Sequence, residues 1–437
     1  MKQIAGWRGW STMVWAALMM VGTTVGARAD SNGDGQAETG AVYTMSNETN
    51  GNSVLVFRRA ADGGLTPAAS VPTGGLGLGR GLGNQNALRL SDDQRWLFVV
   101  NAGSNDVSVF AVRHGELKLV DRTASGGTQP ISVSYDHGLL YVLNAGGTGN
   151  ISGFTLARNG KLSPLADSTL PLSGAATAPA QIEFNPDGNV LVVTEKATNN
   201  IDTYSVDSDG RAHGPVVYPS VGATPFGFAF DRRGRLFVTQ AVGGAVDSGS
   251  VSSYQFSKSG VLDVISPSVT TTETAACWLV VTNNGRFAYV TNTGSASISA
   301  YRIQPDGSIA LRDAGGRAGD TGAGSAPLDA ALTRDSRYLY ALSPKNGTLS
   351  AFRVQADGAP SSRCRPQAVC PQAPTALRRF DTANIANWKQ ALGQALHHYV
   401  IVQGLVLCFR NRLSADFRHC EAAPFAAEAF PVVVTSV

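Results

Sequence analysis

Apolar and polar positions alternate along the chain in short bursts, and the bursts recur. Seven segments carry a β-rich run, a small polar loop and a second run that closes on an aromatic residue. They end at Phe57, Phe110, Phe154, Tyr204, Tyr254, Tyr301 and Phe352, so successive aromatics lie 53, 44, 50, 50, 47 and 51 residues apart. Residues 130–165 show four strands per unit. Strand a is PISVSY, followed by the turn Asp136-His137-Gly138 and strand b, LLYVLN. The loop AGGTGN leads to strand c, NISGFTL, and the turn Ala157-Arg158-Asn159-Gly160 to strand d, KLSPLA. Short apolar runs parted by Asp-Gly or Asn-Gly are hairpin signals, because such turns need backbone angles that Gly, Asn and Asp adopt readily. The a–b turn recurs at Asp187-Gly188, Arg233-Gly234 and Asn284-Gly285, and the c–d turn at Asp62-Gly63, Asp209-Gly210, Asp306-Gly307 and Asp357-Gly358.

A single four-stranded sheet cannot bury both faces, so neighbouring units must stack around an axis. The pattern predicts an all-β chain: a seven-bladed β-propeller of four-stranded antiparallel blades within residues 30–380, followed by a short non-propeller tail at residues 381–437. An open solenoid is disfavoured, since its repeats are shorter and it needs capping ends. The first unit opens directly at strand b, Val42-Tyr43-Thr44. Its strand a is therefore expected from the C-terminal part of the chain, with Pro374–Phe380 as the candidate.

Both termini stand apart. Lys2 and Arg8 precede an uncharged, mostly apolar run from Thr12 to Gly26 and the A-x-A pattern Ala27-Arg28-Ala29. Residues 1–29 read as a cleaved signal peptide and predict a periplasmic or extracellular protein without stable membrane insertion. Cys364, Cys370, Cys408 and Cys420 lie in the tail, where Cys364–Cys370 and Cys408–Cys420 are candidate bridges in an oxidising compartment. Cys277 sits in an apolar strand and reads as a buried free thiol.

Composition narrows the function classes. Charged residues make up 15% of the 437, too few for a coiled coil or a charged disordered chain. The net +3 comes from the two ends, leaving the body between residues 30 and 358 at −4. No basic stripe marks it for nucleic acid. In a propeller the b–c and d–a connections surround one mouth of the central channel, where small ligands bind. His114, His137 and His213 fall on the opposite face. His397, His398 and His419 give no metal-ligand spacing, so neither a metal nor another cofactor is expected. No G-x-S-x-G elbow is present.

One constellation does point to the mouth. The last residue of strand b is equivalent in all seven units: Asn47, Asn101, Asn144, Glu195, Gln240, Asn292 and Ser343. Such asparagines also begin turns by capping backbone groups, but that role does not require a Glu. Glu195, the one acid of the set, is the candidate catalytic base. Asn101, Asn144, Gln240 and Asn292 would orient a polar ligand. Lys196, Arg80 in GLGLGRGLG, and Arg317 would neutralise its charge. Asp320 lies in the same connection as Arg317, and Lys345 in the last b–c loop. GLGLGRGLG lacks the Lys-Ser/Thr ending of a phosphate loop and reads as a mouth loop.

The repeated LFVVNAG…VSVF, AYVTNTG…ISAY and PDG strings resemble the YVTN-repeat seven-bladed propeller lactonase family, which includes propeller-type 6-phosphogluconolactonases and carboxymuconate cyclases. The resemblance covers about residues 41–380. It implies metal-free lactone chemistry by His, Arg and Glu at the mouth. The family's Arg-His pair falls here at Ala180-Gln181, its Asn-Glu pair at Glu195-Lys196, and a further His is absent from QPISVSYDHG. Two functions follow as expectations: an exported lactonase-like hydrolase acting on a sugar-acid or related lactone, or a non-catalytic propeller binding a sugar-like ligand or a protein. A closed ring leaves few strand edges for pairing, so a monomer is expected.

Overall fold

The computed structural model describes residues 38–362 and the two-residue strands Gln367–Ala368, Ile401–Val402, Leu405–Val406 and Thr435–Ser436. Residues 1–29, the four tail cysteines, the tail histidines and Pro374–Phe380 lie outside the described residues.

Seven antiparallel sheets follow one another in chain order, each running a-b-c-d from inner to outer strand. The inner strands of blades two to seven are Leu88–Leu90, Pro130–Asp136, Pro179–Phe184, Pro225–Phe230, Ala276–Val281 and Asp329–Leu332. The b strands are Glu38–Met45, Trp96–Asn101, Leu139–Asn144, Val190–Glu195, Leu236–Gln240, Phe287–Asn292 and Tyr338–Ser343. In blades three, six and seven strand d is broken into two short pieces, such as Leu162–Pro164 and Leu170–Pro171, that pair with strand c one after the other. The seven aromatics that close strand c are all buried at 2% exposure or less, packed between blades.

The repeat has a physical cause at its turns. Tyr43, Tyr141, Tyr289 and Tyr340, all on strand b, donate through their hydroxyls to the carbonyls of Gly115, Gly210, Gly358 and Gly63 in the c–d turn of the next blade. Gly63 and Gly358 have φ near +87, and a Cβ at either would collide with the ring of Tyr338 or Phe287. Glycine there both makes the turn and lets the neighbouring blade close in.

Closure comes from the C-terminal part of the chain, as the missing first strand requires. The partner of the first blade's strand b is Thr435–Ser436, with Tyr43 opposite Thr435 and Val42 opposite Ser436. That segment, rather than Pro374–Phe380, sits beside it. The seventh blade also reaches the first through Tyr338 and Tyr340, which donate to Ala61 and Gly63. No described helix is long and apolar enough to cross a membrane.

Candidate active site at the mouth of the channel

Six of the seven residues read as strand-b ends, Asn101, Asn144, Glu195, Gln240, Asn292 and Ser343, share one register, each four beyond the strand b residue opposite the closing aromatic, whereas Asn47 lies five beyond Val42; all seven have 0% exposure. Their side chains turn into the blades instead of toward the mouth. Asn101 Nδ2 donates to Asp106 (2.6 Å) and Ser108 (2.8 Å), and Asn292 Nδ2 to Ser297 (3.1 Å) and Ser299 (2.8 Å). Asn144 donates to Asn150 (2.7 Å), and Gln240 to Ser252 (3.0 Å). Asn47 anchors the Gly-rich loop, donating to the Arg80 carbonyl (3.0 Å) and accepting from Leu78 N (3.0 Å). These are clasps that hold strand c and the blade-to-blade connections, and the capping role accounts for them.

Glu195 follows the same rule. Its carboxylate accepts from Ser173 N (3.0 Å), the Ser173 hydroxyl and Thr198 Oγ1 (2.5 Å), between the third and fourth blades. Asp202 stands beside it and also accepts from Ser173 N (3.0 Å). Burial pushes the Asp202 carboxyl up to about 8, reinforced by its hydrogen bond to Glu195 and the charge there. The structure therefore does not place Glu195 at the mouth, where a general base must touch solvent and substrate.

Consecutive residues at a strand end face opposite ways, and the residue after Glu195 is the one that faces the mouth. In five of the other blades this place holds a small or rigid residue, Ala102, Ala145, Ala241, Thr293 or Pro344, and in the first blade Asn47 is followed by the exposed Glu48. In the fourth blade it is Lys196. Its Nζ donates to the carbonyls of Gly83 (2.6 Å) and Pro179 (2.6 Å) and lies 4.9 Å above the centre of the Phe226 ring. Phe226 in turn packs on Trp278 at 5.0 Å between ring centres. Removal from water pulls the Lys196 ammonium down to about 7. A neutral amine with both N–H groups given to carbonyls keeps one lone pair, which can take a proton from water.

The Gly-rich connection does more than flank the mouth: it crosses it. Asn84 Nδ2 donates to the Ile131 carbonyl, Gln85 N to Ala180 (3.0 Å) and Gln85 Nε2 to Leu279 (3.3 Å), tying the third, fourth and sixth blades. Gly227 makes room, since a Cβ there would collide with Gln85 Oε1. Beneath this crossing lies a cavity of about 240 Å³. In it Glu183 meets Arg89 (3.3 Å), Gln181 Nε2 (2.7 Å) and Asn86 Nδ2 (3.4 Å). Burial raises the Glu183 pKa, and Arg89 opposes the rise. Arg89 and Glu183 are 94 residues apart, in strands of differing pattern, and no local signal in the sequence joins them. Gln85, Phe226 and Trp278 were equally invisible. A strand-by-strand alignment of the seven a strands would have placed Arg89 and Glu183 at one level, since both stand one residue beyond the buried Leu88 or Ile182.

The remaining candidates divide. Arg80 is exposed on the loop that Lys196 grips three residues further on, at Gly83. Arg317 is held by Glu273 (3.3 Å) and Asp320 (2.5 Å), so its charge is already answered. Lys345 is exposed in the last b–c connection. His114, His137 and His213 are all exposed, His137 against Asp136 (2.8 Å) and His213 against Asp207 (2.9 Å). Cys277 is a buried free thiol. Among the described residues no group of three His, Cys, Asp or Glu could hold a metal ion.

A closed ring of seven four-stranded blades defines the class of protein. The chain matches the family described as "Lactonase, 7-bladed beta-propeller" over residues 37–170, 148–241 and 239–369, and it belongs to that family. No curated protein matches it. Among solved structures it is similar to a provisionally named 6-phosphogluconolactonase from Bacteroides uniformis, at 19% identity and TM-score 0.61, covering 76% of this chain and 98% of that one. It is also similar to a periplasmic gluconolactonase of Pseudomonas aeruginosa, at 17% identity and TM-score 0.60, over 75% of this chain and 96% of that one. A Lactobacillus plantarum protein matches at 16% and 0.62, over 77% and 97%.

Proposed function

We infer that the protein hydrolyses a sugar-acid or related lactone at the mouth, with Lys196 as the base. The observation that carries this reading is the Lys196 amine: desolvated, held by two main-chain carbonyls and free of any carboxylate partner among the described residues. Neutral Lys196 takes a proton from water as the hydroxide oxygen bonds to the lactone carbonyl carbon. The ring C–O bond then breaks, and the same proton returns to the departing alkoxide to give the hydroxy acid. Arg80 faces the developing carboxylate charge, and Phe226 offers an apolar face to the sugar ring. The family supports the reaction class, and the Pseudomonas relative supports a location outside the cytoplasm, consistent with the basic-apolar N-terminus. The protein works as a monomer without a metal.

The test is a lactone-hydrolysis screen of wild type, Lys196→Met, Lys196→Arg and Glu195→Gln. Both lysine variants are expected to lose about 100-fold or more in kcat, the usual weight of a general base, while Glu195→Gln stays active. Because only the neutral amine works, kcat/KM rises with pH through about 7. Loss of activity in Glu195→Gln with Lys196→Met unaffected overturns the assignment. The crossing of the mouth by Asn84–Asn86 favours a second reading, a non-catalytic binder: saturable lactone binding with no turnover decides for it.

A further inference from the structure

We propose a second ligand site on the face opposite the mouth, a pocket at the seam of the fifth and sixth blades that binds a small molecule carrying two or more oxyanion groups. The pocket has a volume of about 640 Å³, within the range of small-molecule sites. Five arginines line it (Arg232, Arg233, Arg235, Arg286 and Arg302), with one acid, Asp231. Asp231 is taken by Arg235 at 2.5 Å, and Arg235 also bonds the carbonyls of Gln304 (3.2 Å) and Pro305 (2.9 Å) across the seam. Asp306 lies beside the lining but turns its carboxylate onto Ser308 (2.9 and 2.7 Å). None of Arg232, Arg233, Arg286 and Arg302 is ion-paired with a described carboxylate. This concentration of positive charge stands on a body whose net charge is −4.

The repeat supplies an internal control. In the second and seventh blades the a–b turn places an aspartate two residues before an arginine, and the two pair: Asp93 with Arg95 at 2.6 Å, Asp335 with Arg337 at 3.4 Å. In the sixth blade the same turn reads Asn284-Gly285-Arg286. Asn284 Oδ1 still accepts from Arg286 N (3.0 Å), as Asp93 and Asp335 accept from Arg95 and Arg337 (3.1 Å each). The turn is built identically, but its charge is gone. In the fifth blade the corresponding residue is itself cationic, Arg233.

The guanidinium groups are also held in place. Arg286 and Arg302 both lie over the Phe287 ring, 5.5 and 5.6 Å from its centre, and Arg233 donates to the Pro305 carbonyl (3.1 Å). Stacking fixes a guanidinium plane while leaving its edge N–H groups free for bidentate contact with phosphate or carboxylate. Unanswered cations this close repel one another, and a multivalent anion relieves the repulsion. The enclosed volume favours a small ligand over a polymer.

The full chain is titrated calorimetrically with inorganic pyrophosphate and, separately, with citrate at low salt. Saturable one-to-one binding is expected, weakened at least tenfold in the Arg286→Gln/Arg302→Gln variant and in a second, Arg232→Gln/Arg233→Gln. Binding is expected unchanged in Arg95→Gln/Arg337→Gln, which alters the equivalent turns of other blades, and in Lys196→Met, which separates this site from the mouth. Seam-dependent binding of either probe supports the proposal, and the tighter probe tells phosphate from carboxylate recognition. Equal weakening by the control pair, no saturation with either probe, or binding of heparin alone overturns it.

Discussion

In the second and sixth blades the last residue of strand b is an asparagine that gives its amide protons to strand c, Asn101 to Asp106 and Ser108, Asn292 to Ser297 and Ser299. The fourth blade has the same register with different chemistry: Glu195 at the strand end, facing Asn200 and Asp202 at the two strand c positions. A carboxylate has no proton to give, so the clasp closes only when Asp202 carries one. Burial pushes Asp202 up to about 8, with its hydrogen bond to Glu195 and the charge there adding to the rise, while Ser108 and Ser299 need no change of state. The next residue differs as well, small in the second and sixth blades (Ala102, Thr293) and long in the fourth (Lys196). One backbone position therefore supports a permanent amide clasp in two blades and, in a third, a proton-dependent clasp beside the mouth's titratable amine.

The comparison is tested hardest by removing the clasp. Glu195→Leu deprives the Ser173 and Thr198 hydroxyls and the Asp202 proton of their acceptor at a fully enclosed place, and leaves Ser173 N–H with Asp202 alone. A loss of about 4 kcal/mol is expected from several unsatisfied buried groups. Asn292→Leu removes one donor from each of two serine hydroxyls, of which Ser297 still donates to Glu273 (3.0 Å), and about 2 kcal/mol is expected. Urea unfolding midpoints of the two variants check the order. Equal losses would mean that the acid clasp has no more partners than the amide one.

The acid clasp also predicts a pH dependence. Asp202 is raised from 3.8 to about 8, so between those values the folded chain holds a proton that the unfolded chain has released. Its contribution to stability is full below pH 4 and is lost as pH rises through 8. One proton allows a slope of at most roughly 1.4 kcal/mol per pH unit. Asp202→Asn keeps a donor toward Glu195 and cannot titrate, so its stability between pH 6 and 9 should lose this fall. A wild-type slope that survives the substitution assigns the proton elsewhere.

These contrasts also mark how far the sequence was legible. The seven units, the four strands in each and the equivalence of six of the strand-b ends followed from alternation, turn dipeptides and terminal aromatics, all local properties of the chain. The need for a first strand from the far end was legible too, but not its identity, because two residues such as Thr435–Ser436 carry no pattern of their own. The sequence points to Glu195, and the proposed base is the residue after it. Alternation says that Glu195 and Lys196 face opposite ways, and only the stacking of blades says which way is inward. Gln85 and Leu279 meet across the ring from a loop and a strand that share no local sequence, so only the closed fold joins them, while Arg89 and Glu183 share a level that aligning the a strands shows but a contact that only the closed ring makes.

The smallest expected effect belongs to the exchange that should cost least if the clasps are interchangeable. Glu195→Gln/Asp202→Ser rebuilds in the fourth blade the pattern of the fifth, where Gln240 donates to Ser252 (3.0 Å) and accepts from Ser250 (2.9 Å). The new amide oxygen can still accept from Ser173 and Thr198, and its Nε2 can donate to the new serine. Removing two buried carboxyl groups while keeping their hydrogen bonds is close to neutral, since satisfied neutral pairs replace a charge that burial disfavours. A change within about 1 kcal/mol at pH 7 is expected, together with a flat profile between pH 6 and 9. Thermal unfolding across that range reads both at once. A loss as large as that of Glu195→Leu would show that the fourth blade depends on the acid pair itself rather than on a filled set of donors and acceptors.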